Sequence, residues 1–285
     1  MTIDLSFLNS LDKFHLAINK RIASRYTGSR KSIFIGRGGL VADHRMYVPG
    51  DDFRSIDWNI YARTEKLHVK TYEEEKSLSV HILMDSSASM KYGKGAQNKF
   101  EYASMIGVGV AYMAMKENEK FQFCTFDDKL ELFKSFRGRS QLASMIDHLN
   151  KVDNKGHSYF EDALSKYSKL LKSRSYVVII SDFLFDIEEI KRALYYLGKN
   201  HDVRLIQVLD KDERDIPFEG DTKLFDLESG GLLRTFITPR LKTDYESQLK
   251  NHNDQIEKIC LSQGMKFYTI YNDMPIFESF YRVLK

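Results

Sequence analysis

Residues 79–89 read Ser-Val-His-Ile-Leu-Met-Asp-Ser-Ser-Ala-Ser, an apolar run that ends in one carboxylate and several hydroxyls. The apolar half predicts a strand of a parallel sheet that is buried on both faces. The Asp-x-Ser-x-Ser half follows the end of that strand, so Asp85, Ser87 and Ser89 can face the same point. Carboxylate, hydroxyl and water oxygens suit the octahedral preference of Mg²⁺. The pattern is short and, by itself, weak evidence for a metal site.

Two further segments strengthen this interpretation. Residues 176–183 form another β-branched run, and it terminates in Asp182; a later turn-to-helix boundary carries Ser158. Ligands of open α/β sheets bind beyond the carboxyl ends of the strands, so we expect these groups to converge there. Taken singly, each residue has a plainer interpretation. Ser158 would be a helix N-cap, Asp182 a turn residue, and Ser87 and Ser89 polar loop residues.

From residue 78 onward, strand and helix patterns alternate, which predicts an α/β fold with a sheet flanked on both faces. Strands are predicted near residues 78–84, 120–126, 129–133, 175–181, 203–209 and 266–271. Helices are predicted near residues 97–116, 139–149, 160–172, 187–199, 240–263 and 275–283. A hairpin with a Gly-rich turn is predicted over residues 223–234.

The patterns divide the chain into a small N-terminal α+β region, residues 1–76, and a main domain, residues 77–285, on which it is expected to pack. The predicted N-terminal elements are a helix over residues 5–26, an irregular stretch over 27–50, a helix over 52–63 and a strand over 67–72. The second helix is expected to start at an Asp cap and to bury Phe53, Ile56 and Ile60.

The composition of the 285 residues, 42% hydrophobic and 29% charged, is ordinary for a globular protein. A net charge of only +3 does not call for nucleic acid. The cysteines, Cys124 and Cys260, fit a reducing compartment better than a disulfide framework. No apolar stretch approaches the roughly 18 residues that span a bilayer, and the N-terminus lacks a signal-peptide core. We therefore expect a cytoplasmic protein.

Together, the five oxygen-bearing residues resemble the metal ion-dependent adhesion site of von Willebrand factor A domains. Asp85, Ser87, Ser89, Ser158 and Asp182 follow its three-loop order, with Ser158 where that pattern more usually has Thr. The resemblance implies a von Willebrand A-like, mostly parallel sheet and a bound Mg²⁺, or else Mn²⁺ or Ca²⁺. In such sites some Asp contacts run through water, so the cation stays electrophilic and can take a carboxylate from another protein.

A second resemblance lies upstream, in Arg45-x-Tyr47-x-x-Gly50-Asp51-x-x-Arg54-x-Ile56-Asp57-Trp58-x-x-x-Ala62-Arg63. This segment is similar to the signature of the domain-of-unknown-function 58 family, and Asp226-x-Glu228-x-Gly230 resembles the late hairpin of that family. The similarity covers residues from about 36 to about 270. Proteins of this family are often encoded beside MoxR-type AAA+ ATPases. The resemblance therefore implies such an ATPase, or a client protein that presents an acidic residue, as the partner.

Two charged stretches leave alternatives open. The segment Arg45–Arg63 can be a structural ion-pair cluster or a docking surface for a partner. The stretch Lys13–Arg37 carries seven Lys or Arg residues and no acid. It fits a solvated helix face or an acidic protein partner. We do not expect it to bind nucleic acid, because neither a recognition helix nor an RNA-binding motif accompanies it.

Enzyme signatures are missing from the sequence: it has no phosphate-binding loop, no nucleophile elbow and no His-Glu-x-x-His motif. Asp85 could be a phosphatase nucleophile of the haloacid-dehalogenase type, but Ser87 stands where those enzymes need a second acid. We therefore predict a non-enzymatic adaptor without catalytic residues. The alternatives are a Mg²⁺-dependent phosphoester hydrolase, in which the metal activates water, and a vestigial site without metal.

Overall fold

A computed structural model describes residues 7–15, 41–53, 56–72, 79–93, 98–133, 138–198, 200–225, 227 and 231–284. Contacts between Cα atoms divide the chain into two compact units, one of Met1–Gly28 with Leu78–Lys285 and the other of Ser29–Ser77. The sequence patterns place the N-terminal helix in the smaller region, whereas these contacts group it with the larger unit. The packing of the N-terminal region on the main domain stays a prediction.

The described elements alternate along most of the chain. The strands are β1 (Val41–Met46), β2 (His68–Tyr72), β3 (Ser79–Asp85), β4 (Phe121–Phe126), β5 (Leu130–Leu132), β6 (Ser175–Ser181), β7 (Asp202–Leu209), β8 (Gly220–Phe225), β9 (Leu232–Ile237) and β10 (Lys266–Tyr271). The helices are α1 (residues 7–15), α2 (Trp58–Thr64), α3 (Lys99–Lys116), α4 (Arg139–Leu149), α5 (Phe160–Ser168), α6 (Ile187–Leu197), α7 (Lys211–Arg214), α8 (Pro239–Ser262) and α9 (Ile276–Leu284).

The larger unit contains a six-stranded sheet in the order β10-β7-β6-β3-β4-β5. All neighbouring strands are parallel except β5, which is antiparallel to β4. The predicted α/β class with a mostly parallel sheet is therefore confirmed. Strands β3 and β6 are neighbours, so their carboxyl ends lie side by side. Strands β8 and β9 form a separate antiparallel ribbon between α7 and α8.

Apolar side chains cover both faces of the central strands, as the unbroken runs predict. On β6, Val178 and Ile180 belong to the cluster that contains α3 and α9, whereas Val177 and Ile179 belong to the cluster that contains α5 and α6. Helix α1 packs in the first cluster, where Phe7 is buried and its ring lies 6.3 Å from that of Phe277. Burial on two faces leaves only the ends of these strands available for a site.

Helix α9 packs closely on α3 at Gly109. A Cβ atom at this position would overlap the ring of Phe280, which is buried among other aromatic side chains. The absence of a side chain therefore permits this approach of the two helices.

The predicted strands and helices of the main domain are confirmed, with most boundaries shifted by one or two residues. Helix α5 ends earlier than predicted, at Ser168, and α7 was not predicted. The predicted hairpin is longer, because β8 begins at Gly220 and β9 continues to Ile237. Its signature residues Asp226, Glu228 and Gly230 lie outside the described residues, as does the stretch 16–40 that contains most of Lys13–Arg37.

The smaller unit differs from its prediction in two respects. Strand β1 lies where an irregular stretch is predicted, and it pairs with β2. The predicted helix over residues 52–63 is wrong at its start: α2 begins at Trp58, because Asp57 is the N-cap and accepts bonds from the amides of Asn59 and Ile60. Phe53 therefore precedes the helix and is 67% exposed instead of buried.

Ion pairs do occur in the signature segment of this unit. Arg45 and Asp51 pair at 2.6 Å, and His44 Nε2 lies 3.1 Å from Asp57 Oδ2. Arg54 lies outside the described residues, and Arg63 is exposed. The choice between an ion-pair cluster and a docking surface stays open. Across the described ranges of both units, no helix combines the length and the apolar character needed to cross a membrane.

Candidate metal centre

The predicted ligands Asp85 and Asp182 lie together at the carboxyl edge of the sheet. Asp85 ends β3 and Asp182 directly follows β6, the neighbouring strand. Both side chains are buried, with 0% and 1% exposure. Ser181 Oγ donates a 2.6 Å hydrogen bond to Asp85 Oδ2 and so links the two strand ends.

The hydroxyls of Ser87 and Ser89 lie beside this pair. The amide of Ser87 donates to Asp85 Oδ1 at 2.9 Å, which folds the loop back over the strand end. The two hydroxyl oxygens are 3.0 Å apart, at the start of a 3-10 turn over Ala88–Lys91. A hydrogen bond from Ser89 also reaches Asp182. The structure thus brings together four of the five predicted ligands.

The Ser158 loop meets the Asp85 loop through its backbone. Ala88 N donates to Gly156 O at 3.2 Å, and Asn154 Nδ2 donates to Ser86 O at 3.1 Å. The alternative that Ser158 caps α5 is wrong, because the N-cap is Tyr159. The hydroxyl oxygen of Ser158 is buried and has no hydrogen-bond partner among the described residues. A buried hydroxyl without a partner is costly, so this atom fits the role of an oxygen ligand to a cation.

The backbone that carries Asp182 is held firmly. Phe183 has a φ of 50°, in the left-handed region that an aromatic residue seldom adopts. Gln207 Nε2 donates to Asp182 O at 2.9 Å, and His252 Nε2 lies 2.8 Å from Phe183 O. Asp182 also behaves as a turn residue, since its Oδ1 accepts the Leu184 amide at 3.3 Å. Strained backbone of this kind persists where the surroundings fix it, often at functional sites.

Lys99 places a positive charge beside Asp182, and no pattern in the sequence predicts this. Lys99 Nζ is 2.9 Å from Asp182 Oδ2 and 2.7 Å from Glu213 Oε1, and its side chain is 1% exposed. Lys99 begins α3, and Glu213 lies in α7, where its other oxygen accepts the Asp210 amide at 2.7 Å. No motif connects these residues in the sequence, and only the tertiary structure brings them to Asp182.

Burial and charge act in opposite directions on the two aspartates. Burial, with the nearby charge of Asp182, raises the pKa of Asp85 to about 7, although hydrogen bonds from Ser181 and Ser87 oppose this. Burial also disfavours the ionised form of Asp182, but the charge and hydrogen bond of Lys99 outweigh it and lower the pKa of that carboxyl. Lys99 thus offsets part of the charge of Asp182 and of Glu213, whereas Asp85 has no cation of its own among the described residues.

The residues present fit a small oxygen-seeking cation. Among the described residues, no group of three or more His, Cys, Asp or Glu side chains could hold a metal ion, so a site here depends on serine hydroxyls. Such oxygens are available on Ser158, whose hydroxyl has no partner among the described residues, and on the adjacent Ser87 and Ser89. Asp85 offers a carboxylate whose charge no described cation offsets. Asp182 can contribute through Oδ1, because Lys99 holds Oδ2. Oxygen-only sets of this kind suit Mg²⁺ or Mn²⁺.

Residues 43–255 match the model of a family described as "Protein of unknown function DUF58". The chain belongs to this family. An uncharacterized protein of Mycobacterium tuberculosis is 24% identical over 268 residues, which cover 93% of this chain and 84% of the relative. An uncharacterized protein of Bacillus subtilis is 22% identical over 157 residues, which cover 55% of this chain and 36% of the relative.

Two solved structures are similar to this DUF58 chain at low sequence identity. A conserved hypothetical protein, BatB of Bacteroides thetaiotaomicron, is 16% identical, with a TM-score of 0.47 and coverage of 73% of this chain and 97% of its own. A von Willebrand factor type A protein of Catenulispora acidiphila is 12% identical, with a TM-score of 0.48 and coverage of 73% and 42%.

Proposed function

We propose that this DUF58 protein is a non-enzymatic interaction module, and that its metal site binds a carboxylate on a partner protein. The observation that supports the proposal most directly is the buried hydroxyl of Ser158, which has no partner among the described residues and adjoins the loop of Asp85. With Ser87 and Ser89, it would supply neutral ligands to a cation beside the buried pair Asp85 and Asp182.

The charge of these ligands favours an external anion. Three hydroxyls bring no negative charge, and the charge of Asp182 is shared with Lys99. A divalent cation held here would keep much of its positive charge and would favour a carboxylate in an open position. The fold buries Asp85 away from water, and a bound cation would supply the electrophile.

An exposed apolar ribbon also supports an interaction role. On β8 and β9, Phe225, Leu232, Leu233 and Phe236 are each at least 60% exposed. A two-stranded ribbon with such side chains is marginally stable without further contacts. By the family resemblance, the partner would be a MoxR-type AAA+ ATPase or a client that presents an acidic residue.

The alternative is a Mg²⁺-dependent phosphoester hydrolase, in which a bound metal would activate water beside Asp85. However, Asp85 is 0% exposed and both of its oxygens already accept hydrogen bonds. It could not reach a substrate without rearrangement. Incubation with p-nitrophenyl phosphate and Mg²⁺ tests the alternative, and turnover that Asp85→Asn abolishes would support it over a binding module.

Thermal melts with and without Mg²⁺ or Mn²⁺ test the metal site, since an ion that binds only the folded state raises its stability. We expect a metal-dependent rise in melting temperature for the wild type. Ser158→Ala removes a hydroxyl that makes no hydrogen bond to a described residue. It should therefore leave the melting temperature without metal unchanged or higher and reduce the metal-dependent rise. The control is Ser168→Ala in α5, which removes a hydroxyl that donates to Ser165 O within that helix. No shift for the wild type at millimolar metal would contradict the proposal.

The carboxylate step needs its own measurement. Mn²⁺ bound with an open position enhances the relaxation of water protons, and acetate that enters that position should reduce the enhancement. If the enhancement stays unchanged at high acetate, the bound metal does not accept a carboxylate. That result would contradict the interaction role.

A further inference from the structure

We propose that Lys99 determines which divalent cation the site accepts, by holding one oxygen of Asp182 and so favouring Mg²⁺ and Mn²⁺ over Ca²⁺. The inference rests on the proposed metal site and identifies a selectivity residue within it. It is drawn from the geometry of Lys99, Asp182 and Glu213.

The position of the Lys99 ammonium is fixed from two sides. Asp182 Oδ2 lies at 2.9 Å and Glu213 Oε1 at 2.7 Å, and Lys99 is 1% exposed. Glu213 is itself fixed by a capping box, in which its Oε2 accepts the Asp210 amide while Asp210 Oδ1 accepts the Asp212 amide at 2.8 Å. Two carboxylates therefore hold the Lys99 ammonium in place, one buried and one partly buried.

This arrangement limits how the two aspartates can bind a cation. The Lys99 ammonium lies on Oδ2 of Asp182, so a cation that bound both oxygens of this carboxylate would lie close to a positive charge, whereas Oδ1 accepts the neutral Leu184 amide. Both oxygens of Asp85 also accept hydrogen bonds, from the Ser87 amide and the Ser181 hydroxyl. Neither carboxylate is arranged for two-oxygen binding. Ca²⁺ takes about six to eight oxygens and commonly uses two-oxygen carboxylates, whereas Mg²⁺ keeps several waters and accepts few protein ligands.

A contribution to stability alone is a weak explanation for the burial of Lys99. A buried ion pair gains little over well-packed apolar residues, because both charges lose their hydration. Here a fully buried ammonium is placed between two carboxylates, one of which is a predicted metal ligand. Its positive charge weakens the binding of every divalent cation nearby, whereas the restriction that it places on the geometry of Asp182 discriminates between ions that need few and many protein oxygens.

Isothermal titration with Mg²⁺, Mn²⁺ and Ca²⁺ tests the proposal on the full chain. Lys99→Met/Glu213→Gln removes one positive and one negative charge, so the net charge of the site is unchanged, and Asp182 gains a free oxygen. We expect its preference for Mg²⁺ over Ca²⁺ to fall by about tenfold or more relative to the wild type, the size of one charge-assisted contact.

Two single variants serve as controls. Glu213→Gln leaves Lys99 on Asp182 and should keep the wild-type preference, and Lys99→Arg keeps the charge and should also keep it. The proposal is overturned if the double variant binds the ions with the wild-type ratio, or if Glu213→Gln changes the ratio equally. If neither wild type nor variants bind any of the three ions, the metal site itself fails. Circular dichroism of each variant establishes that it is folded before titration.

Discussion

Ser181 Oγ donates a hydrogen bond of 2.6 Å to Asp85 Oδ2, so the last residue of β6 holds the carboxylate that ends β3. The same hydroxyl oxygen accepts the Phe183 amide at 3.0 Å. One side chain thus connects the strand end, the buried acid and the strained residue after Asp182. None of the five predicted ligands is this residue, yet it orients one of them.

Ser181→Ala should lower the free energy of unfolding by about 1–3 kcal/mol, because it leaves a buried carboxylate oxygen and a buried amide without their partner. Urea denaturation at about pH 8, where Asp85 is ionised, measures this effect. Ser175→Ala, at the other end of β6, is the control, because among the described residues its hydroxyl bonds only to the nearby Ser173 O, at 2.8 Å. Equal losses in both variants would contradict a specific role for Ser181.

Stability should depend on pH through Asp85. Its pKa in the folded chain is raised from 3.8 to about 7, so between these values the folded state binds more protons than the unfolded state. The free energy of unfolding therefore falls as pH rises through this window, and the stability is fully present only below it. Asp85→Asn should flatten this part of the pH profile and increase stability at about pH 8 relative to the wild type. Profiles with the same slope would show that Asp85 does not ionise as described.

Gly109→Ala should destabilise the protein even though alanine is the better helix former. The added methyl group would overlap the buried Phe280 ring, and overpacking of this kind costs about 1–3 kcal/mol, against a gain of about 1 kcal/mol in helix propensity. Thermal denaturation measures the difference. Phe280→Leu in the Gly109→Ala background should recover part of the loss, and a failure to recover any would argue against this contact.

In the smaller unit, Asp57→Ala should weaken the start of α2. Its carboxylate caps the amides of Asn59 and Ile60, and loss of such a cap costs about 0.5–2 kcal/mol. Faster hydrogen exchange at these two amides is the expected result. Asp51→Ala removes the ion pair with Arg45 and the hydrogen bond from the Val48 amide but leaves the cap of α2 intact, so it should change them little.

The large-scale fold could be predicted because the central strands are uninterrupted apolar runs. Strands β3 and β6 are buried on both faces, and an unbroken apolar run is the sequence pattern that such burial requires. Strand β1 was missed because it lies in a two-stranded sheet, and its sequence, Val-Ala-Asp-His-Arg-Met, has no such run. The start of α2 was misplaced because two nearby Asp residues, Asp52 and Asp57, could each be the cap, and only the structure shows that Asp57 is.

The sequence indicates the oxygen-bearing residues of the candidate site, but it does not indicate the charged residues that surround them. Asp85, Ser87, Ser89 and Asp182 follow strand ends, which periodicity identifies. Lys99 and Glu213 belong to helices that begin after other loops, and local sequence does not indicate that a lysine will be buried between two acids. Long-range ion pairs are set by tertiary packing, so a pattern read along the chain does not contain them.

Helix α8 is 24 residues long, yet its buried side chains, Ile256 and Cys260, lie in its last third. The first turns of the helix, with the β8–β9 ribbon that leads into them, hold few core contacts. Segments of this kind open at a lower free energy than the sheet that they adjoin. The ribbon and the first turns of α8 should therefore exchange their amide hydrogens before the strand ends of β3 and β6 do. Local opening and the geometry of the candidate site would then be separate properties of the same unit.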